Sequence, residues 1–261
     1  MKRKTTKSSY LLKQPVNSVA VTIASVCIVL FLSSFNVIRM QTVTFLSSDD
    51  LQITADEYLV TGNQPYILLF HEQGSSRGEF QDIAPRLCKM DYNCLAVDLR
   101  NGGSDNFVSN ETVKRCREAR CSPAASEVIN DIVAAIEYAY RQSNQPVILL
   151  GSSANASLSL MVARENDHVR AVVALSPGEY FLPAINIEDT ISGMRKPVFA
   201  TSSLTEFPYV SQLVSGIEKE YITLYEPELG EGGRGTASLS PDNLNQSEYW
   251  LAILLFFKDL V

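Results

Sequence analysis

The sequence predicts an α/β fold: a doubly wound, mostly parallel sheet with helices on both faces, preceded by one N-terminal transmembrane or signal-anchor helix. Three observations carry this. Short apolar runs alternate with stretches of helical period, as in strand–helix–strand units whose crossovers cover both faces of a sheet. One run, Val147 to Leu150, is entered through Pro146 and shows no polar alternation, which suits a central strand buried on both sides. Residues 14–38 carry no charge, and Lys2, Arg3, Lys4, Lys7 and Lys13 precede them, as in a membrane segment whose amino end stays in the cytoplasm.

The chain therefore divides into a basic tail (1–13), the apolar segment (14–38) and a domain (42–261). The expected location is the cell inner membrane, single-pass, with the domain on the extracytoplasmic (periplasmic) side. Val19 to Leu32 also has the length of a signal-peptide core, so secretion after cleavage is the alternative, although no good Ala-x-Ala site follows. Six of the 22 Lys+Arg and none of the 29 Asp+Glu fall in the first forty residues, which leaves the exported part at −13. Such a surface repels nucleic acid and anionic headgroups, so no nucleic-acid partner is expected. Cys27 lies in the apolar segment. Cys88, Cys94, Cys116 and Cys121 form two sequence-local pairs, read as disulfides Cys88–Cys94 and Cys116–Cys121 of an oxidising compartment, with four free thiols as the alternative. Their spacing does not suit zinc, and no metal or cofactor is expected.

In order, Thr42 to Leu46 and Leu51 to Val60 read as a strand pair, Tyr66 to Phe70 as a buried strand, and His71 to Ser76 as the loop after it. Ser76 with Glu79 makes a capping box for a helix whose apolar face is Phe80, Ile83 and Leu87. Cys94 to Asp98 is the next strand. Ser122-Pro123 opens a helix with the stripe Ile129, Ile132, Val133, Ile136 and Tyr140. After the central strand come strands at Val169 to Leu175, Pro197 to Thr201 and Tyr221 to Tyr225, with helices at about 208–219 and 248–260. In such sheets the site lies at the carboxyl ends of the strands.

The central strand runs into Gly151-Ser152-Ser153-Ala154-Asn155, close to the Gly-x-Ser-x-Gly corner that exposes a serine at a tight strand-to-helix turn and leaves the next amide free for an oxyanion. Ser153 is the candidate nucleophile. Asn155 stands where the last glycine belongs, and it tolerates unusual backbone angles only in part. The stretches Leu68 to Phe80, Asp98 to Ser104, Gly151 to Ser153, Ser176 to Phe181 and Pro197 to Ser203, taken in that order, resemble the α/β-hydrolases, specifically the small branch similar to dienelactone hydrolase. The resemblance spans about residues 65 to 261. It implies Glu206 as the catalytic acid, with Glu179 the lesser alternative. It also implies an oxyanion hole made by the Ala154 amide and one from the His71-Glu72-Gln73 loop, here assigned to Glu72.

The family's histidine belongs in the loop after the last strand, where this chain has Gly233-Arg234-Gly235. A guanidinium stays protonated and cannot take a proton from serine, though it can pair with Glu206 or hold an anion. The chain has two histidines. His168 follows the elbow helix and is expected about 18 Å from Ser153, on the opposite edge. His71 ends a strand beside the elbow strand; it is read chiefly as a support of the oxyanion loop, and otherwise as an improvised base. Loss of the triad base costs on the order of 10⁴ to 10⁶ in turnover. The candidate site is therefore Ser153, Glu206 and His71 as catalytic residues, with Arg234 as a binding residue. Two main readings follow: a slow serine hydrolase of small esters or lactones, or a non-catalytic relative that binds a small anionic ligand or a protein partner.

Overall fold

The computed structural model describes residues 38–260. The basic tail and apolar segment lie outside the described residues, and among the latter no helix is long and apolar enough to cross a membrane. The described residues form ten strands: β1 (Arg39–Leu46), β2 (Gln52–Leu59), β3 (Tyr66–Phe70), β4 (Asn93–Val97), β5 (Ser104–Asp105), β6 (Val108–Ser109), β7 (Val147–Ser152), β8 (Val169–Leu175), β9 (Val198–Thr201) and β10 (Ile222–Tyr225). Eight form one sheet in the order β1-β2-β4-β3-β7-β8-β9-β10, and β5-β6 is a separate hairpin. In the larger sheet, strand β2 is antiparallel to both of its neighbours, β1 and β4, and every other pairing is parallel.

Seven helices connect or flank these strands: α1 (Ile83–Cys88), α2 (Glu111–Ala119), α3 (Ala125–Ser143), α4 (Ala154–Glu165), α5 (Ile187–Ile191), α6 (Phe207–Leu213) and α7 (Gln246–Asp259). Strand alternation sorts the core into two layers. Leu68 and Phe70 of β3 face the cluster that holds α3 to α6, through Ile132, Ile136, Leu158 and Val210. Ile67 and Leu69 face the other cluster, where α1 and α7 lie through Ile83, Leu87, Trp250 and Phe257. The central strand is buried at all six positions, as its unbroken apolar run predicts.

Several sequence expectations are corrected. The helix expected after Ser76 is a 3₁₀ turn (Arg77–Phe80) followed by α1, with the Ser76 hydroxyl accepting from the Gly78 amide. Glu79 does not close a capping box; its carboxylate accepts from the Glu72 amide at 3.0 Å and the Thr236 hydroxyl at 2.6 Å. The helix expected at about 208–219 is the shorter α6, and α2 and α5 were not anticipated. Cys116 and Cys121 are disulfide-bonded, whereas Cys88 and Cys94 are free and buried. Those two thiols point at carbonyls, Cys88 at Tyr58 and Cys94 at Ala84, and burial pushes the Cys94 thiol well up.

Candidate active site

Ser153 sits at φ +55°, ψ −124° between β7 and α4, a conformation that costs a side-chain-bearing residue on the order of 1–3 kcal/mol. The corner is held from several sides. The Ser153 amide donates to the Leu175 carbonyl at 2.8 Å. A Cβ on Gly151 would meet the Ala156 Cα at 2.6 Å, so the strand and the returning helix approach as closely as only glycine permits. Asn155, in place of the pattern's last glycine, lies inside α4 and is fully buried. Its side-chain amide donates to the His71 carbonyl at 2.6 Å, and its oxygen accepts from Asn101 at 2.9 Å. The departure from the pattern thus ties the elbow to the ends of β3 and β4.

The loops after β8, β9 and β10 converge on the Ser153 hydroxyl. Arg234 Nη2 donates to Ser153 Oγ at 3.0 Å, and Arg234 Nε lies 3.1 Å from Glu206 Oε1. Ser153 Oγ in turn donates to the Tyr180 hydroxyl at 3.2 Å, which donates to the Ser176 carbonyl at 3.2 Å. Arg234 also reaches Tyr180 at 3.4 Å and Glu72 Oε1 at 3.6 Å. The bond to Tyr180, with Glu72 and Glu206 alongside, holds the guanidinium in its charged form above its ordinary range. Gly235, at φ +53°, permits this approach: a Cβ there would collide with Ser152 Oγ, and the Thr236 amide donates to that same oxygen at 3.2 Å. Ser153 is only 3% exposed, roofed by Tyr180 and Arg234.

The candidate residues thus divide. Ser153, Glu206 and Arg234 are brought together. His71 is not a base for Ser153: its Nδ1 donates to the Glu72 carbonyl at 2.8 Å, and its Nε2 accepts the Leu99 amide at 2.9 Å. Both ring nitrogens are spent on backbone, which fits the supporting role. The Glu72 amide is already taken by the Glu79 carboxylate, so the second oxyanion donor is not Glu72. Ala154 is the first residue of α4, where an amide has no acceptor within the helix. Glu179 accepts from the Ile187 and Glu188 amides at the start of α5 and is no alternative acid. His168 is stacked on Tyr140 with centroids 3.7 Å apart and lies 3.0 Å from Glu137.

Sequence reasoning missed Ser176, Tyr180, Thr236 and the reach of Glu79. Ser176 Oγ donates to Glu206 Oε2 at 2.8 Å and accepts the Gly235 amide at 2.9 Å, so one buried hydroxyl joins the acid loop to the arginine loop. Burial pushes the Glu79 carboxyl up. A lone serine or tyrosine after a strand carries no local signal of such a role. Two cavities adjoin the site: one of about 700 Å³ includes Glu72, Glu79, Arg234 and Thr236, and another of about 380 Å³ includes Tyr180, Glu206 and Tyr209. Among the described residues no cluster of His, Cys, Asp or Glu is arranged to hold a metal ion.

A mixed sheet in this order, a strained serine after its central strand and a carboxylate loop after β9 define an α/β-hydrolase. The comparisons agree. A family model described as serine aminopeptidase, S33, matches residues 62–218, and the chain belongs to that family. The matched span contains the elbow and Glu206 and ends before Arg234. No curated protein matches the chain in sequence. Among solved structures, a dienelactone hydrolase from Anabaena variabilis superposes with a TM-score of 0.66 at 14% identity, covering 85% of this chain and 98% of that one. A Pyrococcus furiosus esterase superposes at 0.65 with 16% identity, covering 85% and 91%. An esterase domain from a Rhodothermus marinus protein gives 0.59 at 16% identity, covering 85% and 98%.

Proposed function

We propose that this chain is a hydrolase-fold protein that keeps the serine and acid of an esterase but not its proton acceptor, and that it binds a small molecule in preference to turning one over. One observation carries the reading: Arg234 bridges Ser153 Oγ and Glu206 Oε1, at 3.0 and 3.1 Å, in the place between nucleophile and acid where an imidazole would accept a proton. The guanidinium donates at both ends and accepts at neither. It makes the serine oxygen a hydrogen-bond acceptor, which opposes nucleophilic attack. The Arg234 charge is itself offset by Glu206 and Glu72, which weakens the case for a small anion as ligand.

The competing reading, slow hydrolysis of small esters or lactones with a water as base, is separated by a fluorophosphonate probe. The wild-type protein should leave Ser153 unlabelled at concentrations that label an intact serine hydrolase, while Arg234→His should be labelled and should cleave p-nitrophenyl acetate. Wild-type labelling at the rate of an intact enzyme, lost in Ser153→Ala, would overturn the proposal. We also propose that the domain stands outside the cytoplasmic membrane on an uncleaved anchor, on the strength of the basic tail and the uncharged segment after it. Alkaline carbonate extraction should leave the full-length protein in the membrane pellet; release into the supernatant would favour cleavage.

A further inference from the structure

We propose that the cavity between the loop after β8 and helix α6 is a binding site for a small organic cation, a primary ammonium carried on an aromatic or aliphatic body. The inference rests on reading the site as a binding pocket and supplies the class of ligand. The cavity measures about 380 Å³, within the range that small-ligand pockets occupy. Its apolar wall comes from Tyr180, Tyr209, Val210 and Leu213. Tyr209 is 78% exposed and Tyr180 41%, so two phenol rings stand open to solvent beside the buried Val210 and Leu213. Aromatic rings so placed offer an apolar body a surface and a cation a negative face.

The charge around the cavity selects the sign of the occupant. Its lining holds three carboxylates, Glu179, Glu188 and Glu206, and no lysine, arginine or histidine. Two of the three are already compensated. Glu179 accepts two backbone amides, from Ile187 at 2.9 Å and Glu188 at 2.7 Å. Glu206 has Arg234, Ser176 and Ser203. Glu188 has a single neutral partner, the Gln212 side-chain amide at 2.8 Å, and no ion pair among the described residues. An ammonium can meet that carboxylate while its body lies on the tyrosines. An anion would meet the uncompensated Glu188 carboxylate and no cation in the lining, since Arg234 lines the neighbouring cavity and is paired with Glu206 and Glu72. Tyr180 and Glu206 belong both to this wall and to the group that holds Arg234 on Ser153, so the pocket adjoins the serine without including it.

The probe is benzylamine, with benzyl alcohol and benzoate as its neutral and anionic counterparts, titrated into the full-length protein and followed by calorimetry. Benzylamine should bind saturably and at least about tenfold more tightly than benzyl alcohol, a difference of about 1.4 kcal/mol, and benzoate should not bind. Glu188→Gln should weaken benzylamine by about tenfold and leave benzyl alcohol unchanged, whereas Tyr209→Ala should weaken both. The same change at the exposed Glu165 should alter neither. No saturable benzylamine binding, equal affinity for the alcohol, or indifference to Glu188→Gln would each overturn the inference. Fluorophosphonate labelling of Ser153 reports on turnover alone, so the two proposals fail by different measurements.

Discussion

At the scale of single residues, the proposed function turns on the contact between Arg234 and Ser153. Loss of a triad base costs on the order of 10⁴ to 10⁶ in turnover and general-base assistance alone supplies about 10² to 10⁴, so Arg234→His, as a single change, should recover the general-base part and raise ester hydrolysis by at least about 10². The carboxylate needed to orient an imidazole is present, since Glu206 already receives Arg234 Nε and is fixed by Ser176 and Ser203. Ser176 is the residue on which this arrangement depends without touching the nucleophile's oxygen. Ser176→Ala removes the acceptor of the buried Gly235 amide and a donor to Glu206. It should lower stability by about 1–3 kcal/mol, measured by denaturant unfolding, because a buried amide loses its partner. Ser153 was legible as a candidate from its glycine-led corner, and Glu206 as one through the family resemblance. Ser176 and Tyr180 were not, because their roles arise from loops that meet only in three dimensions.

Elements explain why the elbow tolerates its unusual third position. Gly151 keeps β7 and α4 in close approach, and Asn155 uses its side chain to tie that corner to His71 and Asn101. His71 braces the loop after β3 through its bonds to the Glu72 carbonyl and the Leu99 amide; what the sequence hid was Glu79, which rises from the following 3₁₀ turn to take the Glu72 amide. Helix α2 escaped notice because its start depends on a cap, with Asn110 accepting from the Val113 amide at 2.8 Å, and its sequence is mostly charged and polar, with few apolar residues to mark a buried face. The Cys116–Cys121 bridge fastens its last turn to the following residue stretch. Loss of that bridge in Cys116→Ser should cost about 2 kcal/mol, near the low end for disulfides because the loop it closes is short. Peptide mapping after alkylation under denaturing, non-reducing conditions should find Cys116 joined to Cys121 and Cys88 and Cys94 alkylated; a Cys88–Cys94 cross-link would contradict the fold described.

Across the whole molecule, the first sheet strands are pinned to the helical layer by a buried charge cluster. Arg100 is fully buried and donates to Asp131 at 2.7 Å and to Asp49 at 2.6 Å. The two carboxylates respond in opposite directions. Hydrogen bonding from Arg100 holds Asp49 below the usual carboxylate range, because that side chain keeps part of its hydration. Burial pushes Asp131 up to about 6 despite the same guanidinium, because its side chain has no exposure to solvent. A carboxyl whose folded value is raised contributes stability that is present below its unfolded value, about 3.9, and is lost as pH rises through about 6. Asp131→Asn should therefore flatten the stability–pH curve between about pH 4 and pH 6, although it lowers stability overall by removing a partner of Arg100. Thermal unfolding across that interval checks the slope; an unchanged slope would show that Asp131 does not titrate there.

The sequence by itself determined the class of fold, and it marked as candidates the carboxyl edge for the site, Ser153 and, through the family resemblance, Arg234 at the position expected for a base. These follow from local patterns: apolar runs of strand length, a glycine-led corner and a single residue identity at a known interval. Only the tertiary structure decided that Arg234 spans the serine and Glu206, that Tyr180 roofs the hydroxyl, that His71 is spent on backbone, and that one cysteine pair is joined while the other is not. Those outcomes depend on angstrom-scale distances between loops far apart in the chain, and residue type and spacing carry no record of such distances.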